Sequence, residues 1–84
     1  MKKINLGDSK NIIGGRLRAL RKENNLTQGE LAAKMQTLDI NIDQQMISKI
    51  ENNARIVTDY ELACLCQVLR VTVNDMLRDF YNEG

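Results

Sequence analysis

Apolar residues recur at three- and four-residue spacing along nearly the whole chain, and the pattern breaks only where polar, turn-forming residues cluster. Ile12, Ile13, Leu17 and Leu20 line one side of a helix expected from about Ser9 to Asn24, with Arg16, Arg18 and Lys22 largely opposite. Asn25 tolerates the left-handed conformation that ends a helix. The tandem Gly14-Gly15 costs about 1 kcal/mol per glycine relative to alanine, so the first turn is expected to fray. A second helix opens at Leu26-Thr27-Gln28-Gly29-Glu30, where Thr27 caps and Glu30 reaches back to complete a capping box. Its buried face is Leu31, Ala32 and Met35. Asp43 caps a third helix that turns Met46, Ile47 and Ile50 inward and leaves Gln44, Gln45, Ser48, Lys49 and Asn52 outward. Asn53 is placed to stop it. A fourth helix begins near Thr58 or Asp59 and buries Leu62, Leu65, Cys66 and Leu69. A fifth begins at Thr72, with Asp75 as a short-armed capping partner and Val73, Met76, Leu77 and Phe80 as its apolar side.

Every connection is short except that between the second and third helices, which contains Asp39-Ile40-Asn41-Ile42-Asp43. Acidic or amide residues at alternate positions are how a calcium loop starts. Such a loop needs glycine at its sixth position and glutamate at its twelfth, and Gln44 and Ile50 stand there. The alternation also suits a strand, yet five residues between two helices have no strand to pair with. A turn remains, with Ile40 and Ile42 directed into the core and Asp39 and Asn41 facing water.

Length and composition fit this helical pattern. The 84 residues make one domain, residues 1–84, with its core over about residues 9–80. Proline is absent, and Tyr60, Phe80 and Tyr81 are the only aromatic residues, so the core is aliphatic. An all-α fold is the expectation. No apolar run approaches the ~18 residues of a membrane span, and the amino-terminal apolar stretch is too short for a signal peptide, so a cytoplasmic protein is expected. Cys64 and Cys66 lie two apart on a helix, about 200° around its axis, and are not expected to pair.

The net charge of +1 hides an asymmetry. Residues 1–24 hold seven Lys or Arg against two acids, residues 25–55 three against four, and residues 56–84 two against five. A basic amino-terminal part suits a nucleic-acid binder that presents one face to phosphate, and suits equally a solvated charged surface. Catalysis is not expected. Histidine is absent, neither serine has a base beside it, and the cysteines sit mid-helix rather than at an electropositive helix start. No metal site and no cofactor are expected, since Cys-x-Cys without histidine supplies two ligands facing apart.

Three segments carry a family resemblance: LTQGELAAKM, IDQQMISKIENN and TDYELACLCQVLRVTVNDML. Together they resemble the Cro and phage-repressor (XRE) type of helix-turn-helix transcription regulator, over about residues 12–79. The resemblance implies a compact five-helix, lambda-repressor-like domain that binds double-stranded DNA with its third helix in the major groove. It implies base reading by Gln44, Gln45, Ser48 and Lys49, and phosphate contacts from Thr27, Gln28, Asn52, Asn53 and Arg55. Glutamine suits base reading because its amide both donates to and accepts from the major-groove edge of adenine. Arg21 and Glu51 correspond to a structural ion pair between the first and third helices. Each residue also has a plainer role open to it: Gln28 as a first-turn residue, Gln44 and Gln45 as solvated side chains, Lys49 as a solubilising charge.

The resemblance further implies a homodimer, for which Leu77, Phe80 and Tyr81 offer apolar surface. The competing class is a protein-interaction adapter or antitoxin-like module with the same fold and a protein partner. The chain departs from the family pattern in one place. Seven residues, Gln36 to Ile42, fill a connection that usually has about two, and the five extra are slightly more than one helical turn. Leu38, three beyond Met35, suggests that the second helix gains that turn and that residues 39–42 form the loop.

Overall fold

The structure, a computed structural model, describes residues 7–81. Those residues form six helices: α1 Gly14–Glu23, α2 Gln28–Gln36, α3 Gln44–Glu51, α4 Asp59–Leu69, α5 Val73–Met76 and α6 Arg78–Tyr81. Local chemistry sets the starts. In α2, α4 and α5 a threonine hydroxyl accepts the N–H three residues on, and the acid there returns to the threonine N–H, pairing Thr27 with Glu30, Thr58 with Glu61 and Thr72 with Asp75. Asp43 caps α3 by accepting from Met46 N–H at 2.8 Å.

The ends share one device. Asn25, Asp39, Asn53 and Arg70 all have φ near +60°. After each, the next N–H reaches five residues back: Leu26 to Arg21, Ile40 to Met35, Ala54 to Lys49 and Val71 to Cys66. This is the Schellman closure, which satisfies otherwise orphaned carbonyls.

The start of α1 corrects the expectation of a helix from Ser9. Regular helix begins at Gly14, and the turn before it is held by Asn11, whose Oδ1 accepts from the N–H of Ile13 (3.1 Å) and of Gly14 (3.0 Å). The same side chain donates to the carbonyls of Ile50 (3.0 Å) and Arg55 (2.8 Å), so this end is pinned to α3 instead of frayed. Gly14 permits that approach. A Cβ there would lie 2.7 to 2.8 Å from Ile50 O, Glu51 O and Asn53 Nδ2. Ile12, expected inside, is turned outward and is 37% exposed.

The α2–α3 connection also differs in detail. Regular helix ends at Gln36, and the extra turn tightens to three-residue bonds, Leu38 N–H to Met35 O and Asp39 N–H to Gln36 O, before Asp39 reverses the chain. The chain must turn there because Ile40 and Ile42 are both buried. Gln36 Nε2 then donates to Ile42 O at 3.0 Å and ties the loop to its own helix. Asp39 and Asn41 are exposed, and no strand forms among the described residues.

The fifth expected helix is split. Leu77, with ψ near zero, interrupts it, and the N–H groups of Phe80 and Tyr81 both return to Leu77 O to start α6. Val73, expected inside, is 43% exposed. The core gathers Leu17 of α1, Leu31 and Met35 of α2, Ile47 and Ile50 of α3, Leu65 and Leu69 of α4, Met76 of α5, and Ile42 of the loop, all fully buried. α3 is packed against α1 and α2, and α2 also against α4. Among the described residues no helix is long and apolar enough to cross a membrane.

Candidate nucleic-acid interface

Burial of Ile47 and Ile50 fixes which way α3 faces. With 3.6 residues per turn, Gln44, Gln45, Lys49 and Asn52 come out on the opposite side and are exposed, while Ser48 is half-buried at the edge. None of these five side chains makes a hydrogen bond to another described residue. The helix of eight residues spans about 12 Å, comparable with the width of the B-DNA major groove. Its outer surface is therefore a row of unpaired donors and acceptors, with one cation from Lys49.

Behind α3, a buried polar network sets its tilt. Arg21 Nε donates to Glu51 Oε2 at 2.6 Å and Nη2 to Glu51 Oε1 at 3.1 Å, with side-chain exposures of 10% and 3%. Arg21 Nη1 donates to Leu26 O at 2.7 Å, just before the α2 cap. Gln28 Nε2 donates to Glu51 Oε1 at 3.1 Å. One side-chain cluster thus joins the end of α1, the start of α2 and the end of α3. The hydrogen bonds that Arg21 donates to Glu51 hold its guanidinium above its ordinary pKa. No buried side-chain nitrogen or oxygen among the described residues lacks a partner.

The start of α2 lies beside this surface. Thr27 is exposed, and its hydroxyl oxygen accepts from Glu30 N–H, so its own proton is free to donate outward. Gln28 spends one amide proton on Glu51 and keeps the other. Gly29 meets the first residue of α3: a Cβ there would lie 3.3 Å from Gln44 Oε1.

Beyond α3, two residues expected at phosphates also bond within the fold. Asn53 Nδ2 donates to Asn11 O (3.1 Å) and to Asn11 Oδ1 (3.0 Å), which uses both of its amide protons to tie α3 to the segment before α1. Arg55 forms a two-pronged pair with Glu61, Nη1–Oε1 at 2.8 Å and Nη2–Oε2 at 3.0 Å, and Nη1 also donates to Ile56 O. Glu61 is thereby held below the ordinary carboxylate range, chiefly by Arg55. No sequence signal pointed to this pair, since Arg55 lies outside α4 and shares no helical face with Glu61, which also completes the Thr58 capping box. Asn52 stays exposed.

Other chemistry is thin. Burial pushes the Cys66 thiol up in pKa, and its Sγ lies 3.8 Å from Thr72 O. Among the described residues no three His, Cys, Asp or Glu side chains converge to hold a metal. An open depression of about 310 Å³ beside the loop is lined by Gln36, Asp39, Ile40 and Asn41. At the carboxyl-terminal end, Leu77 and Phe80 are half-buried, and Tyr81 is exposed with its ring edge-on to Phe80 at 5.5 Å.

A capped helix, α2, packed against a second, outward-facing helix, α3, with α4 behind the first and α1 behind the second, is a helix-turn-helix arrangement. The sequence profile of the helix-turn-helix family matches residues 17–76, and the chain belongs to that family, in its XRE branch. A chain from a solved complex of SinR protein with SinI protein is similar in fold and sequence, with a TM-score of 0.65 and 26% identity over 87% of this chain and 82% of that one. No curated protein matches the chain. Family and fold together support a DNA-binding regulator.

Proposed function

We propose that the protein regulates transcription by sequence-specific binding to double-stranded DNA, with α3 in the major groove. The observation that carries this is the outward row on α3, five polar side chains without intramolecular hydrogen bonds on a helix whose orientation is fixed from behind by the Arg21–Glu51–Gln28 network. Gln44 and Gln45 read base edges at the entering end of the helix, and Ser48 and Lys49 follow one turn on. Thr27 Oγ–H, the second amide proton of Gln28 and the Asn52 side chain hold the sugar-phosphate backbone and so fix register without selecting sequence. Asn53 takes a structural role, since its amide donates twice to Asn11, whereas Arg55 spends three of its five N–H donors on Ile56 and Glu61 and keeps Nε–H and one Nη2–H for a phosphate.

The protein works as a two-fold dimer on half-sites about one helical turn apart. Leu77, Phe80 and Tyr81 supply the apolar contact, beside exposed Val73. A second reading, a module that binds another protein through this same end, is favoured by the exposure of Tyr81 and Val73. It is also favoured by the similar chain having been solved in a complex of two proteins.

A mobility-shift titration separates the two. DNA binding predicts a shift of duplex at low salt and an affinity loss of several orders of magnitude between about 50 and 200 mM salt. Gln44→Ala should cost about 1–3 kcal/mol on the preferred duplex and relax its selectivity, whereas Gln28→Ala should weaken all duplexes alike. No shift at low salt would favour the protein-binding module, and equal losses on preferred and random DNA for both variants would overturn the division of roles.

A further inference from the structure

We infer that Gly29 is a positioning residue for base recognition: its bare backbone at the start of α2 is the seat against which the Gln44 amide rests. This rests on the proposed role of Gln44 at the base edges. Glycine is a poor choice at this point on local grounds, being worth about 1 kcal/mol less than alanine in a helix. Its φ is not in the left-handed region, so conformation does not require it. Proximity supplies the reason. A Cβ at position 29 would stand 3.3 Å from Gln44 Oε1 and 3.9 Å from Gln44 Cδ.

The other helical glycines show the contrast. Gly14 is closed in by the backbone of α3, and Gly15 has nothing within 4 Å of where a Cβ would be. Gly29 alone among these meets the end of an otherwise exposed, unpaired side chain on the outward row. A glutamine on a helix surface is free to sample many rotamers, and ordering it on DNA costs binding free energy. The Gly29 seat removes part of that freedom in the unbound protein and sets how far the amide stands out from α3. Position 29 thereby influences sequence preference without touching a base.

The test uses the full chain and four proteins: wild type, Gly29→Leu, Gln44→Ala and the double variant. Each is titrated on the wild type's preferred duplex, on duplexes altered at each base pair, and on random duplex. Thermal melting is followed in parallel. Gly29→Leu fills the seat, so affinity for the preferred duplex should fall about three- to tenfold. Selectivity should relax at the same base pairs that Gln44→Ala relaxes, random-duplex affinity should hold, and the melting temperature should not fall. In the Gln44→Ala background, Gly29→Leu should have no further effect on selectivity.

Equal weakening on all duplexes, or an undiminished effect in the Gln44→Ala background, would overturn the role of Gly29. A wild type that discriminates while Gly29→Leu discriminates identically would do the same and leave the DNA-binding proposal standing. A wild type with no preference among duplexes would overturn both.

Discussion

Replacing Glu51 by alanine removes the acceptor for three hydrogen bonds, two from Arg21 and one from Gln28. Arg21 is left with the Leu26 carbonyl and a side chain that is nine-tenths buried. Stranding one member of a buried pair costs about 3–5 kcal/mol. The lower end applies, about 3 kcal/mol, because Arg21 keeps a tenth of its side chain in solvent. A domain of this size is stabilised by roughly 4–13 kcal/mol in all, so the loss is a large share of the total. At about 4–8 °C per kcal/mol, the melting temperature should drop by at least about 12 °C.

Urea unfolding at neutral pH, with the m-value held as a check on two-state behaviour, gives the number directly. Glu51→Leu combined with Arg21→Met should recover most of the loss, because no charge is then stranded. Arg21→Lys should fall between, since an ammonium cannot make the two-pronged contact. A loss below about 1 kcal/mol for Glu51→Ala is what a solvent-exposed pair gives, and would refute the network as the support of α3.

Other perturbations read other parts of the fold. Arg70 holds φ +59° without the tolerance of asparagine or glycine, so Arg70→Gly should stabilise by about 1 kcal/mol in urea, and destabilisation would contradict the left-handed cap. Gly14→Ala gains helix propensity but drives a methyl group into Ile50 O and Glu51 O, so a net loss of about 2 kcal/mol is expected, and a gain would place α1 further from α3. Glu30, Glu61 and Asp75 all have folded pKa values below the ordinary range, Glu30 and Asp75 chiefly through the backbone N–H of Thr27 and Thr72, and Glu61 chiefly through Arg55. Groups lowered on folding stabilise above their unfolded values and cease to do so as pH falls through the folded ones. Melting temperature should therefore decline below about pH 4, and a flat profile to about pH 2.5 would contradict these contacts.

Local signals made much of the fold legible. Thr27 with Glu30, and Asp43 before an apolar-periodic run, set helix starts whose chemistry acts over three residues. The burial of Ile40 and Ile42 followed from alternation once a calcium loop and a strand had been ruled out. What the sequence hid acts over distance. Asn11 and Asn53 meet across 42 positions, and no local pattern says that each has the other as partner. Arg55 and Glu61 are six apart, but Arg55 lies in the turn before α4, so no helical spacing pairs them, and Glu61 serves both a cap and the salt bridge. Ile12 precedes α1, whose start lies five residues beyond the expected Ser9, and so escapes the helical periodicity that placed it inside. Val73 follows the Thr72 cap as expected yet faces outward, where local pattern does not say which first-turn residue meets the core. In the candidate interface, the outward row on α3 was readable from periodicity. The proximity of the Gln44 amide to where a side chain at position 29 would stand was not, because it depends on how α2 packs against α3.

Selection of bound duplexes from a random DNA pool, sequenced after several rounds with wild type and with Gln44→Ala, tests the central claim most directly. Wild type should enrich a two-fold related pair of half-sites about 10 base pairs apart centre to centre. Gln44→Ala should enrich the same spacing with preference lost at one position in each half-site. A wild-type pool that remains random after selection would contradict the account.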